Sequence, residues 1–129
     1  PVNGCTDITG FGLLGHVYEM AAGSGVTISL NAGAIPLLPE AAKMAGMGIL
    51  PRGAYANREY LKDRIAIEST VPLELADILF DPQTSGGLLI SLPEKDALVL
   101  AKELKDELPC AEIIGRVLPS GGHSIIVHP

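Results

Sequence analysis

Between Gly87 and Leu108 the hydrophobic pattern changes its period once, and that change constrains the fold more than any other feature. Gly87 to Leu92 is apolar almost without break and is the length of one strand. From Pro93 onward Ala97, Ala101, Leu104 and Leu108 recur at helical spacing, while Lys95, Lys102, Glu103 and Asp106 form the opposite, solvated face. The pattern reads as a buried strand followed by an amphipathic helix. With the β run Ile113–Leu118 that follows, it predicts a βαβ unit of right-handed crossover.

The same alternation runs upstream. Thr9 is placed to cap a helix over Phe11–Ala22, with Leu13, Leu14, Val17, Met20 and Ala21 on its apolar side and Gly23-Ser24-Gly25 at its end. Val26–Leu30 alternates as a half-buried strand, and Pro39–Met47 is a short helix. Asn57–Asp63 is helical, Arg64–Glu68 alternates as a strand, and Pro72–Phe80 is a helix led in by proline. Asp81–Gly87 is a loop. Ile113–Leu118 and His123–His128 are β runs whose connection, Pro119–Gly122, has the length of a hairpin turn. Four or five strands, with helices between them and mixed connections, specify an α+β fold, a layered α/β/α arrangement of helices on a mixed four- to five-stranded sheet. At 129 residues the chain suits one domain over residues 1–129 with a single core.

Charge and composition exclude several functions. A formal charge of −6 gives no basic face for nucleic acid, and no apolar run reaches the length of a membrane span. Cys5 and Cys110 form neither a disulfide framework nor a C-x-x-C metal pair, and read as buried thiols in a reducing cytoplasm. The opening Pro1-Val2-Asn3-Gly4-Cys5 has no features of a signal peptide, and the chain reads as an excised piece of a longer protein.

Two segments carry residues that packing alone does not require. In Thr6-Asp7-Ile8-Thr9-Gly10-Phe11-Gly12-Leu13-Leu14-Gly15-His16, an aspartate and two threonines precede a helix whose start holds three glycines. Each helical glycine costs about 1 kcal/mol relative to alanine. Close approach of the backbone to a ligand is one reason to keep them, with free amides meeting phosphate oxygens and Asp7 holding a Mg²⁺ that bridges them. Capping by Asp7 and Thr9, with glycines easing helix packing, is the other. The second segment, Asp81-Pro82-Gln83-Thr84-Ser85-Gly86-Gly87, has the composition of an anion-binding nest and equally that of a connecting turn with Asp81 as its cap. His16 reads as a packed or exposed imidazole, His123 and His128 as unconnected to any metal site, and Asn57-Arg58-Glu59 as a surface helix whose Arg58 could meet a phosphate. No nucleophile–base pattern of recognisable spacing is present.

TDITGFGLLGH and LFDPQTSGGLLI closely resemble signature stretches in the C-terminal half of selenophosphate synthetase (selenide, water dikinase). The similarity extends through Ile35–Ala41, Asn57–Leu61 and Ile114–Val117. Related ATP-utilising enzymes, among them aminoimidazole ribonucleotide synthetase, share the architecture but lack DPQTSGG. The resemblance implies an ATP-dependent phosphotransferase that converts ATP, selenide and water to selenophosphate, AMP and orthophosphate with Mg²⁺. It implies a full-length homodimer whose N-terminal domain dimerises and carries most of the nucleotide site. Asp7 then matches a magnesium ligand. Gly10 and Gly12, with Thr84, Ser85, Gly86 and Gly87, match cofactor-binding positions near phosphate or a selenium species. The family's catalytic cysteine or selenocysteine and its partner lysine have no counterpart in these residues, so no catalytic residue is assigned here and this stretch alone should be inactive. Two other readings stay open at this point: the corresponding domain of another ATP-dependent member of the superfamily, and a non-catalytic α/β regulatory or dimerisation module.

Overall fold

In the computed structural model, which describes residues 1–129, strand β2 (Val26–Asn31) is the axis of the main sheet. It pairs antiparallel with β5 (Gly115–Pro119) on one side and parallel with β6 (Ile125–His128) on the other, and β6 pairs parallel with β3 (Ile65–Ile67). The order is β3-β6-β2-β5. Because side chains alternate along each strand, the register puts Ile65, Ile125, Ile28 and Val117 in one row and Ile67, Val127 and Leu30 in the next, on one face.

Helix α1 (Gly12–Ser24) covers that face with Leu14, Val17 and Ala21, all fully buried. Gly25 ends it in the left-handed region at φ 64°, its amide returning to the carbonyls of Ala21 and Ala22. Helices α2 (Ala41–Gly46), α3 (Arg52–Leu61) and α4 (Leu73–Ile78) extend the layer; α3 contributes Ala54 and Leu61 and α4 contributes Ala76 to the core, which Val71, Leu79 and Phe80 complete. Helices packed on a mixed sheet are the α+β arrangement the sequence pattern predicts.

Three expectations are corrected. Strand β4 (Leu88–Ser91) does not join the main sheet. It pairs antiparallel with β1 (Gly4–Asp7) in a separate two-stranded ladder, so β4, helix α5 (Glu94–Lys105) and β5 form no βαβ unit. An apolar run is a buried central strand only if both faces are covered. Here Leu89 packs on the core while Leu88 is 68 % exposed, and α5 buries no residue fully. Nor do β5 and β6 form a hairpin, because β2 lies between them. The chain leaves β5 beside Val26, passes the start of β2 and returns parallel to it. Thr27 fixes this crossing: its hydroxyl donates to the carbonyl of His123 and accepts from the amide of Gly121, both at 2.8 Å. Finally, Cys5 and Cys110 are free and exposed rather than buried. Cys5 lies on the outer face of the β1–β4 ladder, and Cys110 follows α5 in an open connection.

Candidate functional site

The two motif segments, far apart in the chain, are one structure. The β1–β4 ladder aligns Asp7 with Leu88, and beyond it the pairing continues: the amide of Ile8 donates to the carbonyl of Gly87 at 2.9 Å, and that of Gly86 to the carbonyl of Ile8 at 3.1 Å. The carbonyl of Thr9 accepts two amides, from Gly12 at 3.0 Å and from Gln83 at 3.1 Å. Leu14 donates its amide to Leu79 at 3.1 Å, seating the first turn of α1 against the end of α4. Around this seam Asp7, Gly10, Thr84, Ser85 and Gly87 are exposed, Gly86 is half-buried and Gly12 is buried.

Glycine is required here for different reasons at different positions. Gly12 has φ +73°, and a β-carbon on it would lie 2.9 Å from the backbone of Phe80 and Asp81. The start of α1 crosses the second motif at backbone contact. A β-carbon on Gly86 would come within 2.7 Å of Ile8, and one on Gly15 within 2.7 Å of Phe11. At Gly10 nothing lies within 4 Å. Packing thus accounts for Gly12, Gly15 and Gly86. Gly10 and Gly87 border open space, and at Gly87 the backbone itself, at φ +86°, favours glycine.

Thr9 does not cap α1. No side chain caps that helix; the Thr9 hydroxyl is 2.9 Å from Nε2 of His16, whose Nδ1 is 3.0 Å from a carboxylate oxygen of Glu19. His16 is buried, and Glu19 reaches solvent. Asn57, which the sequence suggests is a surface residue, is buried and donates from Nδ2 to the carbonyls of Gly10 and Phe80, each at 3.0 Å. Its helical spacing from the buried Ala54 and Leu61 is the signal that marks it as inward-facing. Arg58 is engaged by Asp77 and lies over the Phe80 ring at 5.8 Å, so it buttresses α4. His128 pairs with Glu68 at 2.7 Å, away from this seam. Beside the site Asp81 is partly removed from water, and this desolvation raises its carboxyl above the usual aspartate value.

The donor set sets a limit on metal binding. No three His, Cys, Asp or Glu side chains converge anywhere in the chain. Asp7 is an exposed carboxylate at a strand end, which suits one ligand position of a hard cation, but a Mg²⁺ needs several more oxygen donors than this chain brings together.

Comparison with known proteins agrees with this architecture. Residues 1–128 match the family model described as "AIR synthase related protein, C-terminal domain". Among curated proteins, "Selenide, water dikinase" of Clostridium botulinum (strain Eklund 17B / Type B) is 49% identical over 126 residues, covering 98% of this chain and 36% of its own length. The protein of the same name from Caldanaerobacter subterraneus subsp. tengcongensis is 50% identical over 127 residues, covering 98% and 37%. That from Treponema denticola is 50% identical over 121 residues, covering 90% and 34%. The chain therefore spans about a third of the length of the curated relatives it matches. No helix is long and apolar enough to cross a membrane. By its family match over residues 1–128 and its helices on a mixed sheet, the chain belongs to the AIR synthase related proteins, as their C-terminal domain.

Proposed function

We propose that residues 1–129 form a single domain that supplies one wall of the active site of a selenide, water dikinase, the rest coming from an N-terminal domain of the same protein. The observation that carries this reading is the seam itself. Backbone hydrogen bonds between Ile8–Thr9 and Gln83, Gly86 and Gly87 tie both motifs together, and the exposed Asp7, Gly10, Thr84 and Ser85 border that junction. Phosphoryl transfer asks a protein mainly for positioning and charge neutralisation, which such a border can share with a second domain.

In this reading Asp7 is one ligand of a Mg²⁺ that neutralises ATP phosphates. Gly10 leaves room for a phosphate to approach the backbone, and Thr84 and Ser85, with the turn at Gly86 and Gly87, contact phosphate or a selenium species. Gly12 acts through the tight crossing with Asp81 rather than through its amide, which already donates to Thr9. The substrates are ATP, selenide and water, and the full-length protein is a homodimer. Two free cysteines fit a cytoplasmic location. The deciding experiment is ³¹P NMR of the full-length gene product with ATP and Mg²⁺ under anaerobic reducing conditions. Selenide-dependent formation of AMP, orthophosphate and a selenophosphate resonance is expected. ATP left intact by a folded protein overturns the reading.

A further inference from the structure

The chain Glu19–His16–Thr9, centred on a buried imidazole, is a polar network of the site that the proposed phosphate and metal contacts do not use. A carboxylate can only accept, so the 3.0 Å contact makes Nδ1 of His16 the donor to Glu19. In the neutral ring Nε2 is then an acceptor, and the Thr9 hydroxyl donates to it across 2.9 Å. His16 is 7 % exposed and its ring packs edge-to-face with that of Phe11, centroids 6.0 Å apart, so it has little freedom to turn. Thr9 is in turn the residue at which the seam converges: its carbonyl accepts from both Gly12 and Gln83, its neighbour Ile8 is bonded at both amide and carbonyl, and Asp7 lies two residues away.

We infer that His16 is a positioning residue for the reaction. Oriented by Glu19, it fixes the Thr9 side chain, and through Thr9 it keeps the Asp7 border in register with the Asp81–Gly87 loop. This inference rests on the function proposed above. Glu19 anchors the imidazole from the solvent side, and Thr9 transmits its position. Displacing a catalytic border by about 1 Å can cost on the order of a hundredfold in rate. The network therefore acts on turnover more than on folding.

The test uses the full-length protein and the substitution Thr9→Val, which removes the hydroxyl at nearly constant shape, beside Thr9→Ser, which keeps it. The expected result is a fall in kcat of about tenfold to a hundredfold in Thr9→Val, with KM for ATP within about twofold and only a modest fall in melting temperature from the buried Nε2 that loses its donor. Thr9→Ser restores most of the turnover. Equal turnover in wild type and Thr9→Val, or a loss matched by a lower melting temperature and shared by Thr9→Ser, overturns the inference. A second measurement does not depend on activity: ¹⁵N NMR of labelled histidines, with the His16 signals assigned through His16→Gln. The proton is expected on Nδ1, with the Nε2 signal shifting in Thr9→Val. A proton on Nε2 alone, or no response to Thr9→Val, also overturns it. Wild-type protein without selenide-dependent turnover counts against the proposed function and leaves the NMR result to decide the network.

Discussion

The side-chain amide of Asn57 bridges the carbonyls of Gly10 and Phe80, donating to each at 3.0 Å. It joins α3 to the two segments that flank the seam, the turn before α1 and the end of α4. Replacing it by leucine of similar size leaves two carbonyls without their donor, at a cost of about 2–4 kcal/mol. Asn57→Leu should lower the urea midpoint accordingly with an unchanged slope. Asn57→Asp should be no better at neutral pH, because a carboxylate cannot donate to a carbonyl. A midpoint within error of wild type for both would remove Asn57 from the framework of the site.

Glycine substitutions separate packing from ligand approach. At Gly12 a side chain meets backbone at 2.9 Å and must adopt φ +73°, so Gly12→Ala should destabilise the fold by at least about 1–3 kcal/mol. Gly23, near the end of α1 with nothing within 4 Å, gives the opposite sign: Gly23→Ala should stabilise by about 0.5–1 kcal/mol. Gly10 also has open space around it. Gly10→Ala should leave the melting temperature nearly unchanged while slowing the full-length enzyme, if phosphate approaches the backbone there. Thermal melts and steady-state rates on the three variants check all three outcomes, and full activity in Gly10→Ala counts against that contact.

Most helices were legible because each carries an apolar stripe with a boundary residue: Leu13, Leu14, Val17 and Ala21 ended by Gly25, or Pro72 leading α4. Pairing between strands was not. β1 is four residues, Gly-Cys-Thr-Asp, with no hydrophobic alternation, so nothing local shows that it captures β4. The insertion of β2 between β5 and β6 depends on Thr27 holding a loop 94 to 96 residues away, a contact no local pattern contains. At the site, both motifs stood out by composition, but the hydrogen bonds that join them are made by backbone atoms and leave no mark on residue type. Asn57 and His16 were readable as buried only by counting helical spacing through polar residues.

Asp81 gives a pH signature. Burial raises its folded-state pKa above the 3.8 of a free aspartate. The native state therefore holds the proton more tightly than the unfolded chain, and stability from this group is complete below the unfolded pKa and is lost as pH rises through the folded pKa. At neutral pH the charged carboxylate is a net cost. Asp81→Asn should raise the melting temperature at pH 7, and the advantage should shrink as pH falls toward 4. A difference independent of pH would mean that burial of the charge is not its cause.

Asp7 provides the sharpest separation of function from fold. Its side chain is exposed at the end of β1, and none of the chain's ion pairs involves it. Surface substitutions of this kind usually change stability by within about 0.5 kcal/mol, so Asp7→Asn should unfold at the wild-type temperature. If the carboxylate is a Mg²⁺ ligand, the same change weakens metal binding by removing a charged donor and leaving a neutral one. Loss of one ligand typically costs at least as much as loss of an outer-shell partner, about tenfold to a hundredfold. Rates of the full-length enzyme, titrated with Mg²⁺, should therefore show a higher Mg²⁺ requirement, partly recovered at excess metal. An unchanged Mg²⁺ curve in a stably folded variant would take the metal away from Asp7 and leave Gly10, Thr84, Ser85 and the turn at Gly86 and Gly87 as the contacts this border offers to substrate.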